Sequence, residues 1–400
     1  MAERLILPPW KRQRFSQRAG CNRRALMVSS RMAVSPRETM VWIGKSCWRG
    51  ITCASLLLMM AVCIAAACLA ANGSDPRFFR IGTAATGGSF FEIGGVVAGA
   101  ISSPQGGPAC GHGGSCGVLG LVAVAQATPG SIENLRMINS GQIESGFAQA
   151  DLAGWAYYGT KIFAEAGPQR QLRTIASLFP EATHLVVRAD SPIKKLADLK
   201  GKRISLGESG SGTAADAAVF LATAGFKEKD MTRKFLRPGP AAEELKSGEI
   251  DAFFLVGGYP IPAIRDLAAT VPIRLVSFDD PLLDRLKKDF PFYHRTVIPA
   301  GTYPSVDDET VSLGFSALWL VNADTESDLV YAITQSLWNQ GTRRLLDALD
   351  PIGKKITLDH ALDGVSVPLH DGAARFYQEQ GLPIGEAPQA AADGGIQKHP

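Results

Sequence analysis

The chain has 400 residues, with 41 Lys and Arg against 38 Asp and Glu and a formal net charge of +3. The charge is uneven: residues 1–72 hold eleven basic and two acidic residues, leaving 30 basic and 36 acidic in the rest. A mildly acidic body with no basic stripe argues against nucleic-acid binding, and the part after residue 72 is long enough for two ordinary α/β lobes.

The first segment reads as targeting. Residues 51–71, ITCASLLLMMAVCIAAACLAA, carry no charge, follow Lys45 and Arg49, and precede the polar Asn72-Gly73-Ser74-Asp75. Basic flank, apolar core and small exit residues are the order of a secretory signal. The run also has the ~20 residues that cross a bilayer, so an uncleaved anchor is the physical alternative. Alanine crowding over 65–71 favours cleavage, and Met40 opens a conventional signal and is a candidate start. Residues 1–72 are therefore read as an extension plus signal peptide, and the body is expected in the periplasm.

Five of the seven cysteines fall in that segment. Cys110 and Cys116 lie six apart in the insert PACGHGGSCG, which in an exported protein reads first as a disulfide closing a small loop. His112 between them raises a metal reading, but two thiols and one imidazole fall short of a closed zinc site. No metal and no cofactor are expected.

Along the body, strands and helices alternate. Strands are predicted over 78–83, 119–126, 144–149, 172–178, 184–188, 203–206, 251–255, 273–277 and 311–321. Helices are predicted over 90–101, 132–139, 152–159, 213–224, 241–247, 328–339 and 373–380. Pro180-Glu181 reads as a turn between two strands, and Gly225 as a helix stop. The alternation implies an α/β fold with largely parallel sheets and helices on both faces.

Ligands in such folds sit where strands lead into helices. Three of these turns are rich in glycine and hydroxyls: Thr86-Gly87-Gly88-Ser89, the stretch from Gly130 through Ser131 to Asn134, and the turn from Gly207 to Thr213. Each presents backbone N–H groups at a helix start, where a small anion is favoured. The third lacks the Gly-Lys-Ser/Thr ending of a P-loop, so a carboxylate suits it better than a nucleotide phosphate. A capping role stands beside each: Ser89 with Glu92 and Thr213 with Asp216 have capping-box spacing or nearly so, and Ser131 suits an N-cap. His184 is expected to pack in a hinge strand.

The runs RIGTAATGGSFFEIGG, GSIENLRMINSGQIESGFAQADLAGWAYYG and LRTIASLFPEATHLVVRADSPIKKLADLKGKRISLGESGSGTAADA, followed by GPAAEELKSGEIDAFFLVGGYPIPAI, occur in one order over nearly the whole body. In these the chain resembles the TAXI-type solute receptors of TRAP transporters, in a cysteine-bearing branch. The resemblance implies a type II-like periplasmic binding protein with two lobes, crossing hinge strands and a ligand cleft between the lobes. Lobe 1 would take 76–178 and 318–385, lobe 2 would take 179–317, and 386–400 would be a flexible tail.

The resemblance further implies a monomeric, non-enzymatic receptor that delivers an organic acid or an acidic amino acid such as glutamate to a TRAP-type permease. The ligand residues carried over are Thr86, Gly87, Gly88, Ser89, Phe90, Ser131, Asn134, Gln149, Asp151, Ser211, Gly212 and Thr213. Gly257, Gly258, Tyr259 and Pro260 form the facing loop. Phe90-Phe91 departs from the family, where tyrosine is common. A sensor would use the same pocket. An enzyme would need a nucleophile–base pair, yet His184, His294, His360 and His370 are scattered and stand near no Ser or Cys nucleophile motif.

Overall fold

The computed structural model of the protein describes residues 76–385 except 109, 111–115, 291 and 350. The signal segment, the start at Met40, His112 and the tail at 386–400 lie outside the described residues. Among the described residues no helix is long and apolar enough to cross a membrane.

The chain opens with β1 (Arg77–Gly82), α1 (Ser89–Ile101), β2 (Ser102–Ser103), β3 (Val118–Leu119) and β4 (Leu121–Gln126). Then follow α2 (Ser131–Asn139), β5 (Ser145–Gln149), α3 (Ala150–Tyr158), β6 (Leu172–Arg188) and β7 (Arg203–Ser205). Next come α4 (Gly212–Thr223), β8 (Thr232–Lys234), α5 (Pro238–Ser247), β9 (Ala252–Gly257) and α6 (Pro262–Ala268). The last part holds β10 (Ile273–Leu275), α7 (Asp280–Asp289), β11 (His294–Ile298) and β12 (Thr310–Asn322). Helices α8 (Ser327–Leu337), α9 (Gln340–Asp347) and α10 (Asp371–Glu379) close it.

One sheet runs through both lobes in the order β4-β1-β5-β12-β6-β9-β7-β8, with β10 on β6 and β11 on β12. Its wings are parallel: β1 with β4 and β5, and β7 with β8 and β9. Its centre is antiparallel, because β12 pairs β5 and β6 while β6 pairs β9. The expected largely parallel sheets are thus corrected to a mixed ten-stranded sheet beside a small parallel pair, β2 with β3. Strands that cross between lobes run against both wings.

The turn expected at Pro180-Glu181 is also corrected: β6 is one continuous strand of 17 residues. It pairs β12 as far as Ala182, then β9 from Ala182 to Val186. A Pro-Glu pair signals a turn locally, but two long partners hold this one extended. Pro180 is exposed, where its missing N–H costs little. The adjacent Glu181 is buried where β6 changes partner.

Both central strands bury both faces, which explains their nearly continuous apolar runs. On β12, Leu318 and Leu320 join one apolar cluster while Trp319 and Val321 join another. Helices α2, α3, α4 and α7 contribute to the first cluster, and α1, α8 and α10 to the second. A third lies between β9 and helices α5 and α6. Each wing is pinned by a similar ion pair: Arg80 forks onto Glu144 at 2.8 and 2.6 Å, and Arg203 onto Asp251 at 3.1 and 2.6 Å. In both pairs the carboxylate also accepts the arginine's own backbone N–H, which fixes strand position more than it adds stability.

Helix ends follow their sequence signals. Gly159 and Gly248 take left-handed conformations after α3 and α5, and Gly225 does so just past α4. Cys110 and Cys116 form a disulfide. Asn339, the N-cap of α9, donates its side-chain N–H to the carbonyl of Cys116 at 3.1 Å, tying the insert to lobe 1.

Candidate functional site

The N-termini of α1, α2 and α4 meet at one cleft of about 590 Å³, counting the part open to solvent. Lobe 1 supplies Gly88, Ser89, Phe90, Gly130, Ser131 and Gln149, while lobe 2 supplies Gly207, Glu208, Ser211, Gly212 and Thr213. Phe253 to Val256 of β9, Leu236, Pro238 and Ala241 add an apolar wall. The first N–H groups of each helix have no acceptor within the helix, and the three dipoles put partial positive charge at this point.

The caps correct the expected roles. The N-caps of α1 and α2 are Gly88 and Gly130, so Ser89 and Ser131 are first helical residues and cap nothing. Gly130 sits at φ 126°, a conformation that side-chain-bearing residues rarely adopt. Ser211 caps α4 by accepting the Ala214 N–H at 3.1 Å, and the Thr213–Asp216 capping box does not form. Thr213 instead accepts the backbone N–H of Val256 at 3.0 Å.

Of these hydroxyls, that of Ser89 bridges the lobes and that of Ser131 holds Gln149 within lobe 1. Ser89 Oγ accepts the N–H of Gly258 at 3.1 Å, and the Gly87 carbonyl accepts the N–H of Ala263 at 3.0 Å. Ser131 Oγ donates to Gln149 Oε1 at 3.2 Å and accepts the Gln149 backbone N–H at 3.3 Å. Gly212 packs so tightly on Gln149 that a Cβ there would overlap Oε1 and stand 2.6 Å from Cδ.

Behind the cleft lies a buried acidic pair. Gln149 Nε2 donates to Asp216 Oδ2 at 2.6 Å, and the Tyr293 hydroxyl donates to Asp216 Oδ1 at 3.2 Å. Asp151, fully buried at the start of α3, faces Asp216. Burial raises Asp151 to about 6; burial and then the Asp151 charge push Asp216 well above the usual carboxylate range. Two carboxyls this close cannot both ionise, and they titrate as a pair.

The cleft floor carries Glu181, 2% exposed, whose Oε2 has no hydrogen-bond partner. Burial, helped by the Asp151 charge, holds its pKa well above that of a free glutamate. Glu208 at the rim is raised by burial and pairs with Arg237 at 3.5 Å. No Lys, Arg or His lines the cleft among the described residues. His184 packs in the hinge: its Nδ1 meets the Ala182 carbonyl at 3.0 Å and its Nε2 the Tyr303 hydroxyl at 3.0 Å. Because Tyr303 Oη also accepts the Ile261 N–H at 2.9 Å, its own proton goes to Nε2. Burial lowers this histidine to about 4.

Eight of the sixteen ligand residues expected from sequence thus line one cleft: Gly88, Ser89, Phe90, Ser131, Gln149, Ser211, Gly212 and Thr213. Thr86 is exposed, and Gly87, Gly257, Gly258, Tyr259 and Pro260 lie outside the lining. Tyr259 donates its hydroxyl to the Val297 carbonyl at 3.2 Å, and Lys355 sits over its ring at 3.8 Å. Asn134 is fully buried below the cleft. Its Nδ2 donates to the carbonyls of Gly82, Thr83 and Phe147, and its Oδ1 accepts from Thr128. Sequence reasoning missed Glu181, Glu208 and the β9 wall. For Glu181 the signal was a lone acid inside an apolar stretch, obscured by the turn reading.

Two lobes joined by two central strands, with a cleft where helix N-termini face one another, make a mixed α/β fold. The chain belongs to the NMT1-like family, whose match spans residues 81–381. Similar solved structures include the periplasmic aliphatic sulphonate-binding protein SsuA of Escherichia coli, at 18% identity over 76% of this chain and 84% of that one, with a TM-score of 0.39. The alkanesulfonate-binding protein SsuA of Xanthomonas axonopodis pv. citri, bound to MOPS, matches at 16% identity over 78% and 82%, with a TM-score of 0.38. An ancestral arginine-binding protein bound to arginine matches at 16% over 76% and 98%, also with a TM-score of 0.38.

Proposed function

We propose that the protein is an extracytoplasmic solute receptor that captures a small carboxylate between its lobes and presents it to a TRAP-type membrane permease. The observation that carries this reading is the convergence of three helix N-termini, from both lobes, on one cleft. A carboxylate there is held by backbone N–H groups and hydroxyls, each weaker than a bidentate arginine clamp, so several are needed. A ligand that touches both lobes favours the closed arrangement by its differential affinity. Ser89, Ser131, Gln149, Ser211 and the start of α4 then face the solute. Thr86, Gly87 and the loop from Gly257 to Pro260 belong to the closing edges. The permease partner, the periplasmic location and the monomeric state follow from the resemblance to TAXI receptors, and the cleft performs no chemistry in this reading.

The test is a melting screen of the purified body against succinate, 2-oxoglutarate, L-glutamate and related acids. Native mass spectrometry of solute retained through purification accompanies it. A true ligand raises the melting temperature by mass action, with a shift that grows as its concentration rises. No shift with any carboxylate would sink the reading.

A further inference from the structure

Glu181 is the one acidic side chain on the cleft floor that the proposed function leaves unused. It lies at the point where β6 passes from β12 to β9, at the junction of the two lobes. It lines the cleft at 2% exposure, and its Oε2 has no partner. An unpaired buried carboxyl is costly, and a fold keeps one where something else completes it. Among the described residues no lysine, arginine or histidine lines the cleft to do so, and Glu208 adds a second acid at the rim. The charge of Asp151 also bears on it, and it repels a second negative charge.

Resting on the receptor reading above, we propose that Glu181 recognises an ammonium group on the solute and selects amino acids over oxo acids and dicarboxylates. The cleft then has two poles. Helix N-termini of α1, α2 and α4 receive the carboxylate, and Glu181 receives the amine. The wall of Leu236, Phe254 and Leu255 accommodates an uncharged stem. A second carboxylate on the solute finds no basic partner in the lining. Burial raises the carboxyl's pKa in the free protein, and an ammonium group beside it favours the ionised form, the displaced proton passing to solvent as the solute binds.

Matched pairs test this by calorimetry on the wild-type protein: L-leucine against 4-methyl-2-oxopentanoate, and L-glutamate against 2-oxoglutarate, with succinate and the diamine putrescine as outer controls. The expected result is at least about tenfold tighter binding of the amine member of a pair, the scale of one hydrogen bond to a charged group. In Glu181→Gln that preference disappears, while the melting temperature without solute stays level or rises, because a buried unpaired acid has been removed. Oxo acids or succinate binding as well as the amino acids would overturn the inference and leave the receptor reading standing. Equal loss for both members of a pair in the variant would also overturn it. Binding of putrescine alone would refute carboxylate capture and keep the amine role of Glu181. If nothing in the panel binds, the carboxylate reading falls and the inference falls with it.

Discussion

Gln149, at the end of a lobe 1 strand, donates its side-chain N–H to Asp216 on a lobe 2 helix at 2.6 Å. The same amide takes the Ser131 hydroxyl on its oxygen. One side chain therefore links the cleft wall, the lobe junction and the buried pair of Asp151 and Asp216. Closure is not only shape fit. The contact between the lobes also runs through Asp216, one of two facing acids that no solvent reaches.

Replacing Asp216 by Asn should make stability less dependent on pH. Asp151 titrates at about 6 in the folded protein, against ~3.9 in an unfolded chain. A raised carboxyl binds its proton better folded than unfolded, so its contribution is full at low pH and is lost as pH rises through about 6. His184, lowered to about 4 by burial, acts in the opposite direction over an overlapping range. It is present in both proteins and cancels in their difference. The Asn side chain keeps an acceptor for Gln149 and supplies a donor to Asp151 without a titrating proton. The variant should gain on the order of 2 kcal/mol over wild type at about pH 8, shrinking toward zero as the pH falls to about 4. Urea unfolding at each pH measures it, and a difference constant with pH would refute the raised titration of the buried pair.

Phe147 ties the lobe 1 core to the cleft wall. Its ring meets Phe90 edge-on at 5.7 Å and Trp319 at 6.2 Å, and Phe90 lines the cleft. Phe147→Leu should cost about 1–2 kcal/mol through lost packing. It should also weaken solute binding, because Phe90 loses the ring that fixes its position. Phe220→Leu, in the lobe 2 core against Phe278 and Tyr293, should cost about as much and leave affinity unchanged. Equal effects on affinity would show that both act through general loosening alone.

Much of this was legible in the sequence, for physical reasons that differ from place to place. The alternation of strands and helices, read with their turn and stop residues, located α1, α2, α3, α4, β1, β5 and β12 within a few residues. The three glycine- and hydroxyl-rich turns pointed to the converging helix starts. What failed was decided by distant partners. Pro180-Glu181 is a turn signal until β12 and β9 hold it extended, and no local pattern contains those strands. The serines failed as caps because a glycine one position earlier took that role, releasing Ser89 and Ser131 for other bonds. Asp216 looked like a capping residue because spacing does not tell which face of a helix meets a buried acid. Helix α7 was missed although Asp279 and Pro281 mark its start: Asp279 caps it through the Leu282 N–H.

Gly212→Ala isolates lobe closure from folding. Position 212 is the first residue of α4, and its backbone is not in the left-handed region. Alanine is an excellent helix former there, so lobe 2 itself should fold normally. The added methyl nevertheless overlaps Gln149 Oε1 and stands 2.9 Å from Ser131 Oγ. Gln149 cannot simply swing aside, because Ser131 and Asp216 hold both ends of its amide. The clash falls only on the closed arrangement, so the variant should rest more open. Affinity for the solute found in the melting screen should fall by about tenfold or more, since binding must now also overcome the clash. Small-angle scattering should show a larger radius of gyration at saturating solute than wild type, with unchanged circular dichroism. Wild-type affinity together with wild-type scattering would show that Gln149 repacks freely, and that the Gln149–Asp216 contact does not govern closure.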